Sequence, residues 1–411
     1  MARSPRTKAE PSADPSADPS AEPGSDSGAW AKSAWLFGTL AAVTVYLPKG
    51  AAGLTALLWL ALAMAGLLLG AWTLRREGLA WLALWLAWIA LSGLWSPAPW
   101  PSMPSHCWLA VLMLAVPLLA STLHRDAARL AIKAFVLASV MLAGLWCWHA
   151  LWPLPPSDFS STLLVYAGNK SISNGVLMAL ASALALHLAW QAAPPLAVRA
   201  AWSLAAACLA AVILWRSPAR SAHMALAVLL LAVVWLHQRR WWPRLLMLAV
   251  AAAVAASVAL GLGGLGARAQ AGQLDTSNQQ RWQVYRSTAA FALERPLIGH
   301  GLGSWEVLWA ERNQVRELRS FNTAHSAPLE LAAEGGAVSL VLLFMVMLAW
   351  AGVARRGDVR ANGGPAALVL LAWGTEALFN AALRDAAFAL PMMVLLALAL
   401  AAAGASQRRS G

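Results

Sequence analysis

The sequence predicts an all-α polytopic membrane protein of about 12 transmembrane helices. Three observations carry that prediction. The 411 residues are 60% hydrophobic and only 12% charged, with a mean hydropathy of +0.60. Apolar runs long enough to cross a bilayer, which takes ~20 residues, recur along the chain. Many of the 24 tryptophans sit at the ends of those runs, as at Trp30, Trp35, Trp95, Trp100, Trp215, Trp241, Trp242 and Trp350, where interfacial anchors belong.

Residues 1–29 carry the near-repeat SADPSADPSAEP, too poor in apolar side chains to build a core, and read as a disordered cytoplasmic tail. No short apolar region with a cleavage site follows the basic start, so a cleavable signal is not expected. Residues 30–263 hold helices 1–9, in apolar segments near 31–47, 51–73, 78–95, 106–123, 128–152, 172–192, 200–215, 221–237 and 243–263. A polar loop, 264–325, separates these from helices 10–12 at 326–354, 364–383 and 386–404, and a short cytoplasmic tail, 405–411, closes the chain.

Charge orients these segments. One set of alternate connections holds Arg75/Arg76, Arg125/Arg129, Arg199, Arg239/Arg240/Arg244, Arg355/Arg356/Arg360 and Arg408/Arg409. The other holds only Lys49, Lys170, Arg216/Arg220, Arg384 and the long loop. Basic residues favour the cytoplasmic side, so both termini are expected there. The net charge of +12 is then explained by anchoring beside anionic lipid, with no nucleic-acid partner. Cys107, Cys147 and Cys208 lack metal-ligand spacing and read as small core residues, with a Cys107–Cys147 bridge as the alternative.

The outer exceptions to the charge rule are the functional candidates. The loop holds Arg268, Arg281, Arg286, Arg295, Arg312, Arg316 and Arg319. Seven arginines away from the cytoplasm ask for an anionic ligand, since guanidinium matches phosphate oxygens two at a time. Ser277-Asn278-Gln279-Gln280 fits a capping box, followed by a stripe of Trp282, Tyr285, Ala289 and Ala292/Leu293 that suits a helix on the membrane surface and ends before Pro296. Gly299-His300-Gly301-Leu302-Gly303 predicts a flexible turn; with no preceding strand it is not a dinucleotide loop. A second helix is expected over about Ser304–Arg319. Arg220 opens an apolar helix at the turn WRSPARSAH, where a charge marks a ligand path. Of the outer histidines His106, His149, His223, His300 and His325, the last stands where the loop meets a hydrophobic helix, and an ordinary imidazole pKa of ~6.5 suits removal of a hydroxyl proton. Lys133 and Glu376 lie deep in apolar segments.

HSAPLELAAEGG fits the pattern H-[N/S]-x-x-L-x6-G of the O-antigen ligase family, with His325, Ser326, Leu329 and Gly336 in register. RWQVYRSTAAFALERPLIGHGLGSW resembles the family's loop segment, and SPARSAHMAL its Ser-Arg stretch. The resemblance is confined in sequence to about 216–336, and Ser326 stands where Asn is commoner. It implies a bacterial inner-membrane enzyme with a large periplasmic loop between helices 9 and 10. The activity implied is transfer of O-antigen polysaccharide from undecaprenyl pyrophosphate to the lipid A core oligosaccharide. The family's functional positions fall on Arg220, Arg281 and His325. Charge and sidedness add Arg286 and Lys170 to the donor pyrophosphate site. The reading is completed by inversion at the anomeric centre, no cofactor and no metal, because there is no D-x-D and the outer acids are scattered. The alternatives are an O-antigen polymerase, a protein O-oligosaccharyltransferase, for which more chain after the last helix is expected, and a twelve-helix transporter.

Overall fold

The computed structural model describes residues 78–123, 125–152, 169–191, 194–237, 245, 271–313, 315, 318, 321–356, 363–384 and 386–403. Among these residues the chain is helical and has no strand. The helices are α1 (Leu79–Ser92), α2 (Pro99–Thr122), α3 (Arg125–Leu151), α4 (Asn169–Trp190), α5 (Leu196–Arg216), α6 (Arg220–His237), α7 (Gln273–Glu294), α8 (Ser304–Arg312), α9 (Ala327–Arg356), α10 (Gly364–Phe379) and α11 (Ala386–Ala403). Five of them, α3, α4 from Ile172, α5, α6 and α9, are long and apolar enough to cross a membrane; α1, α10 and the apolar parts of α2 and α11 are shorter. The chain is a multi-pass helical membrane protein. The tails and the segments expected at 31–47, 51–73 and 243–263 lie outside the described residues, apart from Leu245.

Hydropathy decides which helices sit inside. α11 is apolar on every side, and its residues from Phe388 to Ala403 are all buried, the internal Pro391 included. α4 is the second central helix, with Val176–Ala185 inaccessible, packed against α5, α6, α3 and α10. α5, by contrast, leaves Leu204 and Trp215 exposed, as a lipid-facing helix should. The cysteines are free thiols: Cys107 and Cys208 are exposed and Cys147 is half-buried, so no Cys107–Cys147 bridge forms.

The loop region departs from expectation in four ways. The helix α7 starts at Gln273 behind Gly272, with no side-chain cap, so Ser277 and Asn278 lie inside it instead of capping it. It stops at Glu294, before Pro296 as expected. Its inward stripe is Val284, Thr288 and Phe291, all buried, while Trp282 and Leu293 are exposed. The expected stripe was therefore offset by a residue or two: the helix packs on protein through one face and leaves its tryptophan outside. The helix α8 ends at Arg312, well short of Arg319, where Asn313 takes extended backbone angles.

The last departure concerns the glycine turn, which is docked and not flexible. α9 breaks at Gly336 (φ 66°, ψ −170°), and the turn lies against the break. His300 and Gly301 donate backbone N–H groups to the carbonyls of Ala333 and Glu334 at 2.9 and 2.8 Å. Ala337 donates to Pro296 at 2.8 Å, and Val338 to Leu297 at 3.3 Å. Backbone lies directly on backbone here: a Cβ on Gly299 would strike the Glu334 peptide, and one on Gly336 the Leu297 carbonyl. Both glycines also have positive φ, where a side chain adds strain. The tryptophans of α1 close the other side, Trp88 donating to the Gly335 carbonyl at 2.8 Å and Trp85 to the Ser339 hydroxyl at 3.1 Å.

Candidate functional site

Four stretches of chain meet at one end of the bundle: the start of α6, the middle of α7, the end of α10 and the residues before α9. Arg220, at the start of α6, donates to the side chains of Asn278 and Ser277 on α7, the latter at 3.4 Å. Arg281, one turn further along α7, donates to the Phe379 carbonyl at the end of α10 at 3.3 Å. That carbonyl is one of the last of its helix, where partial negative charge welcomes a cation. Tyr285 follows one more turn along the same face. It feels the charges of both Arg220 and Arg281, and its hydroxyl donates to the His325 carbonyl at 3.0 Å. Burial pushes the Tyr285 phenol above its ordinary pKa, and the two guanidiniums pull against that shift.

His325 itself has φ 51°, in the left-handed region, which costs a residue with a Cβ about 1–2 kcal/mol. Its surroundings over-determine it. Phe321 sets its ring edge-on to the imidazole, with centroids 5.1 Å apart. Ala324, the residue before, donates its N–H to Glu330 Oε2 at 3.0 Å. Burial and then the Arg281 charge lower the His325 pKa to about 4. The imidazole is therefore neutral at physiological pH, in the form that accepts a proton.

Beneath His325 lies a buried ionic cluster. Arg384, from the turn between α10 and α11, bonds Glu330 through Nε at 2.7 Å and Glu334 through a terminal nitrogen at 2.9 Å, with Glu306 further out at 4.0 Å. The glutamates raise the arginine's pKa above an already high value despite burial. Glu334 also accepts from the Trp305 N–H at 3.4 Å, in the first turn of α8, where the helix dipole favours an anion. On the α6 side, Asn380 donates to Glu376 at 2.7 Å and lies 3.5 Å from the Ser221 hydroxyl.

The structure thus brings Arg220, Arg281 and His325 together across 105 residues of sequence. It does not bring Arg286 to them: that residue is exposed and lies about 140° around α7 from Arg281. Lys170 falls in the first turn of α4, and its side chain lies outside the described residues. Two of the other outer histidines take structural partners. His300 bonds the Phe291 carbonyl at 3.0 Å beside Glu294, and His223 the Ala219 carbonyl at 2.9 Å. Arg312 pairs with Glu294 at 2.5 Å and stacks over Phe291. Sequence reasoning missed Tyr285 as a site residue, and with it Asn278, Asn380 and Arg384. For Arg384 a signal existed: a lone outer arginine in a chain with two acids one helical turn apart, at Glu330 and Glu334.

Fold and site together define a multi-pass helical membrane protein with two arginines and a neutral histidine gathered at one end of its bundle. Residues 204–344 match the family model described as O-antigen ligase, which supports assigning the chain to that family. The family's members are glycosyltransferase-like enzymes acting on lipid-linked glycans. The matched segment runs from α5 into α9 and includes Arg220, Arg281, Tyr285 and His325; Glu376, Asn380 and Arg384 fall outside it. No curated protein matches the chain.

Proposed function

We propose that the chain ligates O-antigen polysaccharide from undecaprenyl pyrophosphate onto a sugar of the lipid A core, at the periplasmic face of the inner membrane. The observation that carries this reading is the meeting of Arg220 and Arg281 around Tyr285, whose hydroxyl holds the His325 backbone. Two guanidiniums fit a pyrophosphate, and a neutral imidazole beside them fits a base. In this reading the acceptor hydroxyl gives its proton to His325 as its oxygen attacks the anomeric carbon of the donor sugar. The bond from that carbon to the pyrophosphate oxygen breaks, and its electron pair leaves with the pyrophosphate. Arg220 and Arg281 stabilise the charge that develops there. Attack opposite the leaving group inverts the anomeric centre.

In the free protein Asn278 and the Phe379 carbonyl occupy both arginines, so these contacts preorganise the guanidiniums and must yield in part to the donor. Arg286 and Lys170 would meet the outer oxygens of the pyrophosphate or the glycan beyond it. The site needs no divalent ion in this scheme: Arg384 already pairs with Glu330 and Glu334, the acids that follow His325 on α9.

The test is reconstitution of the purified protein with undecaprenyl-pyrophosphate glycan and lipid A core. Appearance of the long-chain conjugate, lost in His325→Ala, supports ligation. Elongation of the donor chain without transfer to the core would make the protein a polymerase, and no glycan transfer at all by folded protein would overturn the reading.

A further inference from the structure

A cavity lies at the opposite end of the bundle from His325, and no step of the proposed reaction uses it. The geometry of the helices fixes its level. α6 leaves the site at Arg220 and runs about 27 Å to His237. There His237 Nε2 lies 2.8 Å from His187 Nδ1, near the end of α4. Leu188 and Gln191, just beyond, line the cavity, as does Pro365, which opens α10 at the end away from Phe379. The cavity has a volume of about 300 Å³, and the charge bias of the sequence predicts that this end faces the cytoplasm.

Its lining is divided by chemistry. Arg129 and Lys133 stand one turn apart on α3, with Gln191 supplying an amide. Ile132, Leu188, Val198 and Trp202 make the rest mostly apolar. Asp126, the acid in the first turn of α3, bonds Arg129 at 3.5 Å, an exposed pair of little energetic weight. Lys133 lies two turns inside an apolar helix, and among the described residues no ion-pair partner faces it. A cation at that depth is costly unless it serves an anion or reaches the headgroup layer. Trp202, on α5, is the side chain expected at the boundary between headgroups and acyl chains.

We propose that this cavity binds the phosphate headgroup of an anionic phospholipid of the adjacent leaflet. Arg129 and Lys133 hold the phosphate, Gln191 donates to the polar head, and the apolar wall with Trp202 covers the glycerol and first methylenes. The volume admits a headgroup and is too small for a glycan chain. Bound there, the lipid ties α3, α4, α5, α10 and α11 together at the end of the bundle remote from the chemistry.

The experiment uses the purified full chain in a neutral detergent. Lipid binding is followed by native mass spectrometry, and melting temperature by the shift each added ligand produces. Phosphatidylglycerol should bind and raise the melting temperature; phosphatidylcholine and inorganic phosphate at the same concentration should do neither. Arg129→Gln/Lys133→Gln should weaken phosphatidylglycerol binding by about thirtyfold, the effect of removing two basic contacts at a membrane surface. Melting of that variant in phosphatidylcholine checks that it folds; should it fail, Lys133→Gln alone is read in the same way, with roughly a fivefold loss expected. Unchanged phosphatidylglycerol binding by a folded variant overturns the proposal. So does equal stabilisation by phosphatidylcholine, which would mean a generic apolar groove, or by inorganic phosphate, which would mean a site for a free anion.

Discussion

Replacing Arg384 with methionine removes a buried cation and leaves its two carboxylates behind. Glu330 and Glu334 have side chains only 6% and 3% exposed, and Arg384 bonds them at 2.7 and 2.9 Å. With the guanidinium gone, the folded protein can keep two adjacent buried anions or protonate one of them. Protonation of one carboxyl sets the scale of the penalty. A carboxyl with an unfolded pKa of ~4.3 costs about 1.36 × (7 − 4.3), or ~3.7 kcal/mol, to hold neutral at pH 7. That agrees with the ~3–5 kcal/mol typical of a buried ion pair stripped of one partner. The same arithmetic gives ~1 kcal/mol at pH 5, so the defect should shrink as pH falls. Thermal unfolding in detergent, monitored at pH 7 and pH 5 for wild type and variant, reads this directly. Adding Glu334→Gln to Arg384→Met should restore much of the loss at pH 7 and little at pH 5. A variant that melts like wild type at pH 7, or whose defect is the same at both pH values, would show that the cluster is solvated and that this reasoning is wrong.

Other changes read out the chemistry. Arg220→Ala and Arg281→Ala should each lower glycan transfer about 10- to 100-fold, the worth of a charge-assisted contact, with Lys recovering only part, whereas Arg312→Ala, paired with Glu294 away from the site, keeps most activity; full activity of both Lys variants would remove the two-point clamp. Because the His325 pKa is depressed to about 4, kcat/KM should hold level as pH falls through 6.5 and decline only toward 4, and the stability tied to the neutral imidazole, complete above ~6.5, should be lost over the same range; an acid limb at 6.5 or above would exclude His325 as the base in this form. Excess EDTA should leave the reconstituted reaction intact, and loss of activity restored by Mg²⁺ or Mn²⁺ would refute the arginine-only account.

The sequence carried the spans well because hydropathy is a local property. The segments expected at 128–152, 172–192 and 221–237 became α3, α4 and α6 within a few residues. Depth in the bundle was less legible: α4 and α5 read alike as apolar runs, yet one is central and the other faces lipid. Cap signals failed at Ser277 because tertiary contacts outweigh the ~1 kcal/mol of a side-chain cap; Arg220, 57 residues away, claims that hydroxyl instead. The glycine turn was misread for a similar reason. Gly299 and Gly301 signal freedom when seen alone, and only the break at Gly336, 35 residues on from Gly301, shows that the turn is a docking surface for another backbone.

The site shows the same limit from the side of chemistry. Arg220, Arg281 and His325 could be singled out because each is a polar residue in the wrong place, and such anomalies are visible one residue at a time. Residues that hold them in place are anomalous only in pairs. Tyr285 on a surface helix and Glu330 in the first turn of α9 are unremarkable until the fold puts them on either side of His325. Together they explain how a histidine stays in a left-handed conformation worth about 1–2 kcal/mol of strain. Tyr285 bonds the His325 carbonyl, and Glu330 bonds the preceding N–H while Arg384 anchors the glutamate. Since Tyr285 stands one turn from Arg281 on the same helix, any shift of α7 that moves the guanidinium also moves the backbone of the base. Clamp and base are thereby kept in register, a coupling that no single residue in the sequence announces.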